Sequence, residues 1–181
     1  MRLVGFAALA PVPWRNGGGL TREIAVAPGA RLSLADIERD GPFSSFEGLD
    51  RIFAVVQGAV TLSFGPADVV RLDPGVAPLE FAGEHAPQAA PGAPGCRALN
   101  LLVERGRHGG SLRRETWPAG RRVDAQDLAG VFAVHVQDGL LGCGDARARA
   151  GDTLVGDARE DAIDVLADSV VLLARVATRF D

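Results

Sequence analysis

A run of three glycines near the start of the chain lies among side chains that could bind a small anion. The glycines occupy positions 17, 18 and 19 and follow Asn16. Glycine adopts positive φ freely, so successive backbone N–H groups can converge on an anion. Asn-Gly is equally typical of a plain hairpin turn. A turn alone does not explain four neighbouring side chains, which are Trp14, Thr21, Arg22 and Glu23.

The charges that follow the glycines require a partner. Arg22 and Glu23 are successive residues of a predicted strand, so their side chains point to opposite faces. One of them must point inward if this strand belongs to a barrel wall, and a buried charge needs an opposite charge. Asp50 and Arg51 supply both signs.

A second segment, residues 40–51, combines aromatic and hydroxyl side chains. Phe43 and Phe46 flank Ser44 and a second serine. Aromatic walls with a few convergent polar groups are typical of a pocket for a small molecule. The structural alternative is a loop that plugs a barrel with its phenylalanines, with Asp50 and Arg51 as a local ion pair. Asn100 is a further ligand candidate, because it alternates with leucines in a predicted strand and has no turn to form.

The composition excludes several kinds of chemistry. All 19 basic residues of the 181-residue chain are arginines, and tyrosine is absent. Lysine Schiff-base chemistry, a P-loop lysine and a tyrosine acid are therefore excluded. A formal charge of −4 argues against a protein that binds nucleic-acid backbones. The two cysteines form no CxxC pair, so we expect no zinc site, reduced thiols and a cytoplasmic location.

Short runs of β-branched, aromatic or alternating residues predict an all-β chain with few or no helices. Glycines and prolines separate these runs, as in hairpins. Leu32 and Leu34 share a face but Ile37 is out of phase, which predicts a bulge near Ala35. The proline-rich stretch 86–95 is predicted to be a mobile loop. The predicted strand runs are 31–39, 52–56, 59–64, 68–72, 97–104, 131–136, 153–155 and 170–176.

A weak internal repeat predicts two similar halves. The run 52–55, with Gln57 and Gly58 after it, recurs as 131–134 with Gln137 and Gly139. The turn usage and residues 150–155 resemble those of cupins, so we predict two cupin-like antiparallel β-barrels in tandem, a bicupin, packed as one compact unit. The first, residues 1–104, carries the motifs, and the second, residues 105–181, is degenerate.

A metal site of the cupin kind is not expected. Such sites use two histidines at i and i+2, a glutamate and a more distant histidine, but Glu47 and Leu49 occupy the places of the histidine pair. Arg51 lies near the place of the glutamate, and an arginine repels a cation. The three histidines of the chain are scattered, and we expect His135 to point to solvent.

Residues 14–24, 40–51 and 99–102 resemble the HutD/Ves family in residue type, order and spacing. The resemblance implies a bicupin fold in a bacterial cytoplasmic protein associated with histidine utilisation. It further implies a governor of that pathway that binds an intermediate such as N-formylglutamate or urocanate. One departure is Glu47, where the family commonly has proline.

Two functions follow as hypotheses, and we favour the first. In the first, the protein binds a small carboxylate without turnover, and the guanidinium of Arg22 or Arg51 donates two hydrogen bonds to that carboxylate. In the second, it is a metal-independent enzyme in which Glu23, Glu47 or Asp50 is a general acid or base. No cofactor, nucleic acid or membrane is expected as a partner, and a homodimer is compatible with the sequence. The predicted ligand-binding residues are Trp14, Asn16, Thr21, Arg22, Glu23, Phe43, Ser44, Phe46, Asp50, Arg51 and Asn100.

Overall fold

The computed structural model of the protein describes residues 1–156 and 162–178. These residues form antiparallel strands joined by turns, and their only helical segment is a single 3-10 turn, Phe6–Ala8. The all-β prediction is confirmed. The strands are β1 (Arg2–Val4), β2 (Val12–Pro13), β3 (Gly19–Ala27), β4 (Ala30–Ile37), β5 (Gly41–Pro42), β6 (Leu49–Gly65), β7 (Asp68–Leu72), β8 (Leu79–Ala82), β9 (Gln88–Glu104), β10 (His108–Trp117), β11 (Arg122–Val123), β12 (Val131–Cys143), β13 (Ala146–Arg149), β14 (Thr153–Val155) and β15 (Ile163–Thr178).

The chain divides into two compact units, each built on one sheet. The unit made mainly of Ala10–Gly109 has the strand order β2-β3-β4-β9-β6-β7, with β5 paired to β9 and β8 paired to β6. The other unit contains Met1–Leu9 and Gly110–Ala177 and has the order β1-β14-β12-β15-β10, with β11 on β15 and β13 on β12. No helix of the described residues is long and apolar enough to cross a membrane.

The expectation of closed barrels is wrong for the described residues. In neither sheet do the first and last strands of the order pair with each other. One reason is that the outermost strands are too short to continue the ladder, since β2 has two residues and β1 has three. Pro13 also lacks the backbone N–H that a further ladder bond would need.

Strand β4 shows how the sequence pattern positions the site. Leu32 and Leu34 are fully buried on one face, and Arg31, Ser33 and Ala35 alternate with them on the other. The bulge predicted near Ala35 is absent, because β4 pairs with β9 without a register shift from Ala30 to Ile37. Ile37 lies on the same face of β4 as Ser33 and Ala35. Side chains are buried on both faces of this strand, so Ile37 is buried without any break in the alternation. The register shift lies on β3 instead, between Glu23 and Ala25.

The stretch 86–95, predicted to be a mobile loop, is largely part of β9. Its backbone pairs with β6 from Ser63 opposite Gln88 to Val60 opposite Pro91. Ala89 also faces Gly41 of β5 and is 2% exposed. The prediction was wrong because it considered only the side chains, which are small and bury little apolar surface. The stretch is ordered by backbone pairing with β5 and β6.

His135 is also buried rather than directed to solvent. Its side chain lies in β12 with 1% exposure, and its Nδ1 is 3.0 Å from the Thr153 hydroxyl. The side chains of Val134, His135 and Val136 are all buried, so both faces of β12 are covered. The alternation of His135 with valines therefore did not mean that it points to solvent.

Candidate functional site

The register of four strands aligns one row of side chains across the face of the sheet. Glu23 of β3 lies opposite Ser33 of β4, and Ser33 lies opposite Asn100 of β9. Asn100 in turn lies opposite Phe53 of β6. Residues opposite each other in antiparallel strands project from the same face. This row forms the floor of a cavity and contains both an amide and a hydroxyl.

A second row lies two residues along the strands, on the same face. Arg31 of β4 is opposite Leu102 of β9, and Leu102 is opposite Arg51 of β6. Because side chains repeat their direction every two residues, this row faces the same cavity as the first. Two arginines therefore lie on one side of the floor.

The cavity has a volume of about 650 Å³. That volume falls within the range of small-molecule sites, about 300–1,000 Å³. Nine of the eleven predicted ligand-binding residues line it, and the structure brings them together. The lining residues are Val12, Pro13, Trp14, Arg15, Asn16, Thr21, Glu23, Arg31, Ser33, Ala35, Pro42, Phe43, Ser44, Phe46, Arg51, Phe53 and Asn100.

Arg51 is the most buried charge in this cavity, with 5% of its surface exposed. Its guanidinium carbon lies 5.1 Å from the ring centre of Phe43, 4.9 Å from that of Phe46 and 5.6 Å from that of Phe81. Aromatic faces attract a cation, which offsets part of the cost of removing it from water. The Nη2 atom also donates to the carbonyl oxygen of Ser44 at 3.2 Å.

The electrostatics of Arg51 favour an anion beside it. Burial, and then the charge of Arg31, lower the pKa of Arg51 to about 10. The guanidinium therefore stays charged near neutral pH, and a nearby negative charge would stabilise it. Its Nε atom is buried without a hydrogen-bond partner among the described residues.

Asn100 has a second unpaired atom on the same floor. The residue is 8% exposed, and its Oδ1 is buried without a partner in the described part of the chain. Asn100 and Arg51 thus offer the cavity one acceptor and one donor that the described residues do not satisfy. Buried polar atoms are nearly always paired with protein, water or an ion, so these two atoms are available to a molecule that enters the cavity.

Trp14 and Phe43 form an aromatic wall of the cavity, and Thr21 fixes the orientation of the Trp14 ring. The Trp14 indole Nε1 donates to the Thr21 hydroxyl at 2.7 Å. The Trp14 ring meets that of Phe43 edge to face, with the ring centres 6.0 Å apart. These contacts hold the wall in place before any ligand arrives.

The glycine run has a structural role and does not form the anion cradle that was one interpretation of the sequence. The N–H of Gly18 donates to Asn16 Oδ1 at 3.0 Å, and that of Gly17 donates to the Trp14 carbonyl at 3.0 Å. The Asn16 Nδ2 donates to the carbonyl of Pro42 at 3.1 Å. A Cβ on Gly19 would lie 2.1 Å from the carbonyl oxygen of Asp36, which explains the glycine there. Asn16 lines the cavity, but its amide links the two motif segments.

Two predicted site residues do not line the cavity. Arg22 forms an ion pair with Asp36, whose other oxygen accepts from Arg97 Nε at 2.6 Å. Asp50 accepts from Arg105 Nε at 2.6 Å. Arg22 and Glu23 lie on opposite faces of β3 as predicted, and Glu23 is the one that faces the cavity.

Arg31 and Ser33 line the cavity but were not among the predicted residues. Both alternate with Leu32 and Leu34, so the phase of β4 could have identified them. No cluster of three or more histidine, cysteine or acidic side chains in the described residues has the arrangement of a metal site.

Comparison with known proteins identifies relatives of this chain. A protein of Pseudomonas putida encoded in the hutC 3′ region is 50% identical over 54 residues, which is 26% of this chain and 28% of that protein. Protein Ves of Citrobacter koseri is 34% identical over 82 residues, 42% of this chain and 43% of that protein. The matches span less than half the length of these curated relatives.

Solved structures show the same fold over nearly the whole chain. HutD from Pseudomonas fluorescens SBW25 is 24% identical with a TM-score of 0.74, covering 99% of both chains. A cupin 2 conserved barrel domain protein from Leptotrichia buccalis is 12% identical with a TM-score of 0.64, covering 98% of this chain and 96% of that one. The fold is therefore cupin-like. The sequence profile described as HutD matches residues 7–173, so the chain belongs to the HutD family.

Proposed function

We propose that the cavity binds a small carboxylate and that the protein acts, without turnover, as a governor of histidine utilisation. The observation that carries the proposal is the buried, charged Arg51, whose Nε has no partner in the described residues. A carboxylate is the group that a guanidinium fork pairs with best. The family and the P. putida relative in the hutC region support the pathway.

The charge balance of the cavity also supports an anionic ligand. Arg31 and Arg51 lie on its floor, while Glu23 is the one acidic residue among its lining residues and is exposed. The ion pairs of the described residues involve other arginines, such as Arg22 and Arg105, rather than these two. A ligand carboxylate would supply the missing negative charge. The ligands we propose are N-formylglutamate and urocanate.

The available nucleophiles and acids support binding over catalysis. Asp50 is engaged by Arg105 outside the cavity, and Glu47 is not among the lining residues. Burial, and then the charge of Asp36, raise the pKa of the Cys96 thiol to about 12, so this thiol is not a nucleophile near neutral pH. Both cysteines are free and buried, which supports a cytoplasmic protein.

We propose as well that residues 1–104 and 105–181 are the two related halves of a bicupin-like arrangement, with open sheets in place of barrels and with β1 of the first half paired to β14 of the second. The internal repeat supports this. Phe53 lies in β6, which is followed by the hairpin partner β7, and Phe132 lies in β12, which is followed by β13.

The binding test is a thermal-shift measurement followed by calorimetric titration with N-formylglutamate and urocanate. A ligand that binds only the folded state raises the Tm, by an amount that grows with its concentration above Kd. Chromatography of the incubated ligand tests turnover in parallel. No shift with either compound would overturn the proposed ligands, and consumption of the compound would favour an enzyme that uses Glu23.

A further inference from the structure

Phe46 contacts both Arg31 and Arg51 in the cavity. Its ring centre lies 4.9 Å from the Arg51 guanidinium carbon and 5.5 Å from that of Arg31. Phe46 and Arg31 also line a second cavity of about 330 Å³, so they form the wall between the two spaces. A displacement of Phe46 would therefore change both the contacts of the two arginines and the enclosure of the ligand site.

The backbone on either side of Phe46 is tied to the end of β8. The N–H of Phe46 donates to the carbonyl of Gly83 at 2.8 Å, and the N–H of Gly83 donates to the carbonyl of Leu49 at 2.7 Å. A Cβ on Gly83 would lie 2.3 Å from the Phe46 carbonyl oxygen, so this approach requires a glycine.

Two charged side chains secure the turn that follows Phe46. Glu84 Oε1 accepts from the N–H of Gly48 at 2.8 Å. Arg105 Nη2 donates to Glu84 Oε2 and to the carbonyl of Leu49, each at 2.8 Å. Its Nε donates to Asp50 Oδ1 at 2.6 Å, and its backbone N–H donates to the carbonyl of Gly48 at 2.9 Å.

This network lies outside the ligand site. Neither Arg105 nor Glu84 lines either of the two cavities, and the Arg105 side chain is 40% exposed. Exposed ion pairs contribute little to global stability. Arg105 nevertheless donates to the carbonyls of Gly48 and Leu49 in this turn and to Asp50 just after it, and it also pairs with Glu84, which accepts from Gly48. What the bonds fix is the path of the chain between Phe46 and β6, which also carries Arg51.

We propose that Arg105 and Glu84 are positioning residues that hold Phe46 against Arg51 and thereby set the affinity of the cavity for its carboxylate. This inference rests on the proposed function. Neither residue contacts the ligand, so both act through the Phe46 turn. Their loss lets the ring move out of the cavity and leaves the sheet intact.

The test is calorimetric titration of N-formylglutamate into the wild type, Arg105→Ala and Glu84→Ala, each with a melting curve. We expect each variant to weaken binding about five- to tenfold, because the ring of Phe46 no longer encloses the ligand, with little change in Tm. Glu84→Gln keeps an acceptor for the Gly48 N–H, so it should recover part of the affinity. The matched control is Arg122→Ala, which removes an exposed arginine that pairs with Asp164 at 2.9 Å in the other unit and should leave affinity unchanged.

A double-mutant cycle with Phe46→Ala distinguishes positioning from a separate effect. If Arg105 acts through Phe46, Arg105→Ala costs no further affinity once the ring is absent. Additive losses would overturn the inference, and so would wild-type affinity in both Arg105→Ala and Glu84→Ala. Absence of binding by the wild type would instead overturn the proposed function. If Arg105→Ala does not fold, the comparison of Glu84→Gln with Glu84→Ala decides.

Discussion

Arg51 and Asn100 lie diagonally across the β6–β9 pair, and each buries one polar atom that no described residue satisfies. Arg51 opposes Leu102 and Phe53 opposes Asn100, so both polar side chains project from one face. An unsatisfied buried polar atom costs about 1–3 kcal/mol of folding free energy. A ligand that pairs with both atoms would therefore stabilise the folded protein.

Arg51→Lys should weaken binding of N-formylglutamate about ten- to a hundredfold, because lysine keeps the charge but not the planar fork. Arg22→Lys is the matched control, since Arg22 pairs with Asp36 outside the cavity. It should lower the Tm slightly and leave affinity unchanged. Calorimetric titration beside melting curves measures both, and equal affinities in the two variants would contradict the assignment of Arg51.

Asn100→Leu should change stability and binding in opposite directions. The substitution removes an unpaired buried acceptor, so the free energy of unfolding should rise by about 1 kcal/mol without ligand. Ligand affinity should fall about tenfold because the amide no longer faces the cavity. Asp73→Ala is the comparison, as it removes a satisfied bond to the N–H of Gly75 outside the cavity and should only destabilise. A loss of stability in Asn100→Leu would show that its amide is paired in solution.

The sequence predicted local features of this fold well. Asp68–Leu72 and Thr153–Val155 form strands with the predicted bounds, because turn residues flank each β-rich run. Nine of the residues predicted to bind a ligand line the cavity, because residues two apart on β3 share a face and several others lie together in the segment before β6.

The errors arose where a distant partner decides the structure. Whether Arg22 or Glu23 faces the cavity depends on the register of β3 against β4, which the sequence of β3 does not contain. The stretch 86–95 extends because β6, some 30 residues earlier in the chain, pairs with it. Arg51 lines the cavity, as predicted. Its guanidinium contacts the rings of several phenylalanines and does not pair with Asp50, which instead accepts from Arg105.

Removing Ala90–Gly92 should destabilise the unit made mainly of Ala10–Gly109, because Ala90 and Pro91 pair with Thr61 and Val60 of β6. The loss of a few ladder bonds at about 0.5–1.5 kcal/mol each predicts a clear fall in the free energy of unfolding by urea. A two-glycine insertion between Pro66 and Ala67, in the turn between β6 and β7, is the control and should cost much less. Equal midpoints would indicate that the ladder does not persist in solution.

The purified protein should contain no stoichiometric transition metal. In the sequence, Arg51 lies near the place of the glutamate ligand of cupin metal sites, and the described residues hold no cluster of metal-ligating side chains. Elemental analysis should therefore find iron, manganese, nickel and zinc far below one atom per chain, and a chelator should leave the Tm unchanged. One metal per chain, lost together with stability on chelation, would contradict the proposed site.

The contribution of Glu84 to stability should disappear in acid. The Arg105 side chain, and then the N–H of Gly48, lower the pKa of this carboxyl from 4.5 to about 2. A depressed pKa in the folded state means that the carboxylate stabilises the protein above the unfolded value, and that this contribution is lost as pH falls towards 2. We therefore expect the small difference in free energy of unfolding between wild type and Glu84→Gln to be present near neutral pH and to vanish in acid. High salt should reduce the difference, because the pair is exposed. Urea unfolding across this pH range measures it, and a difference that stays constant with pH would show that the charge of Glu84 is not what holds the turn.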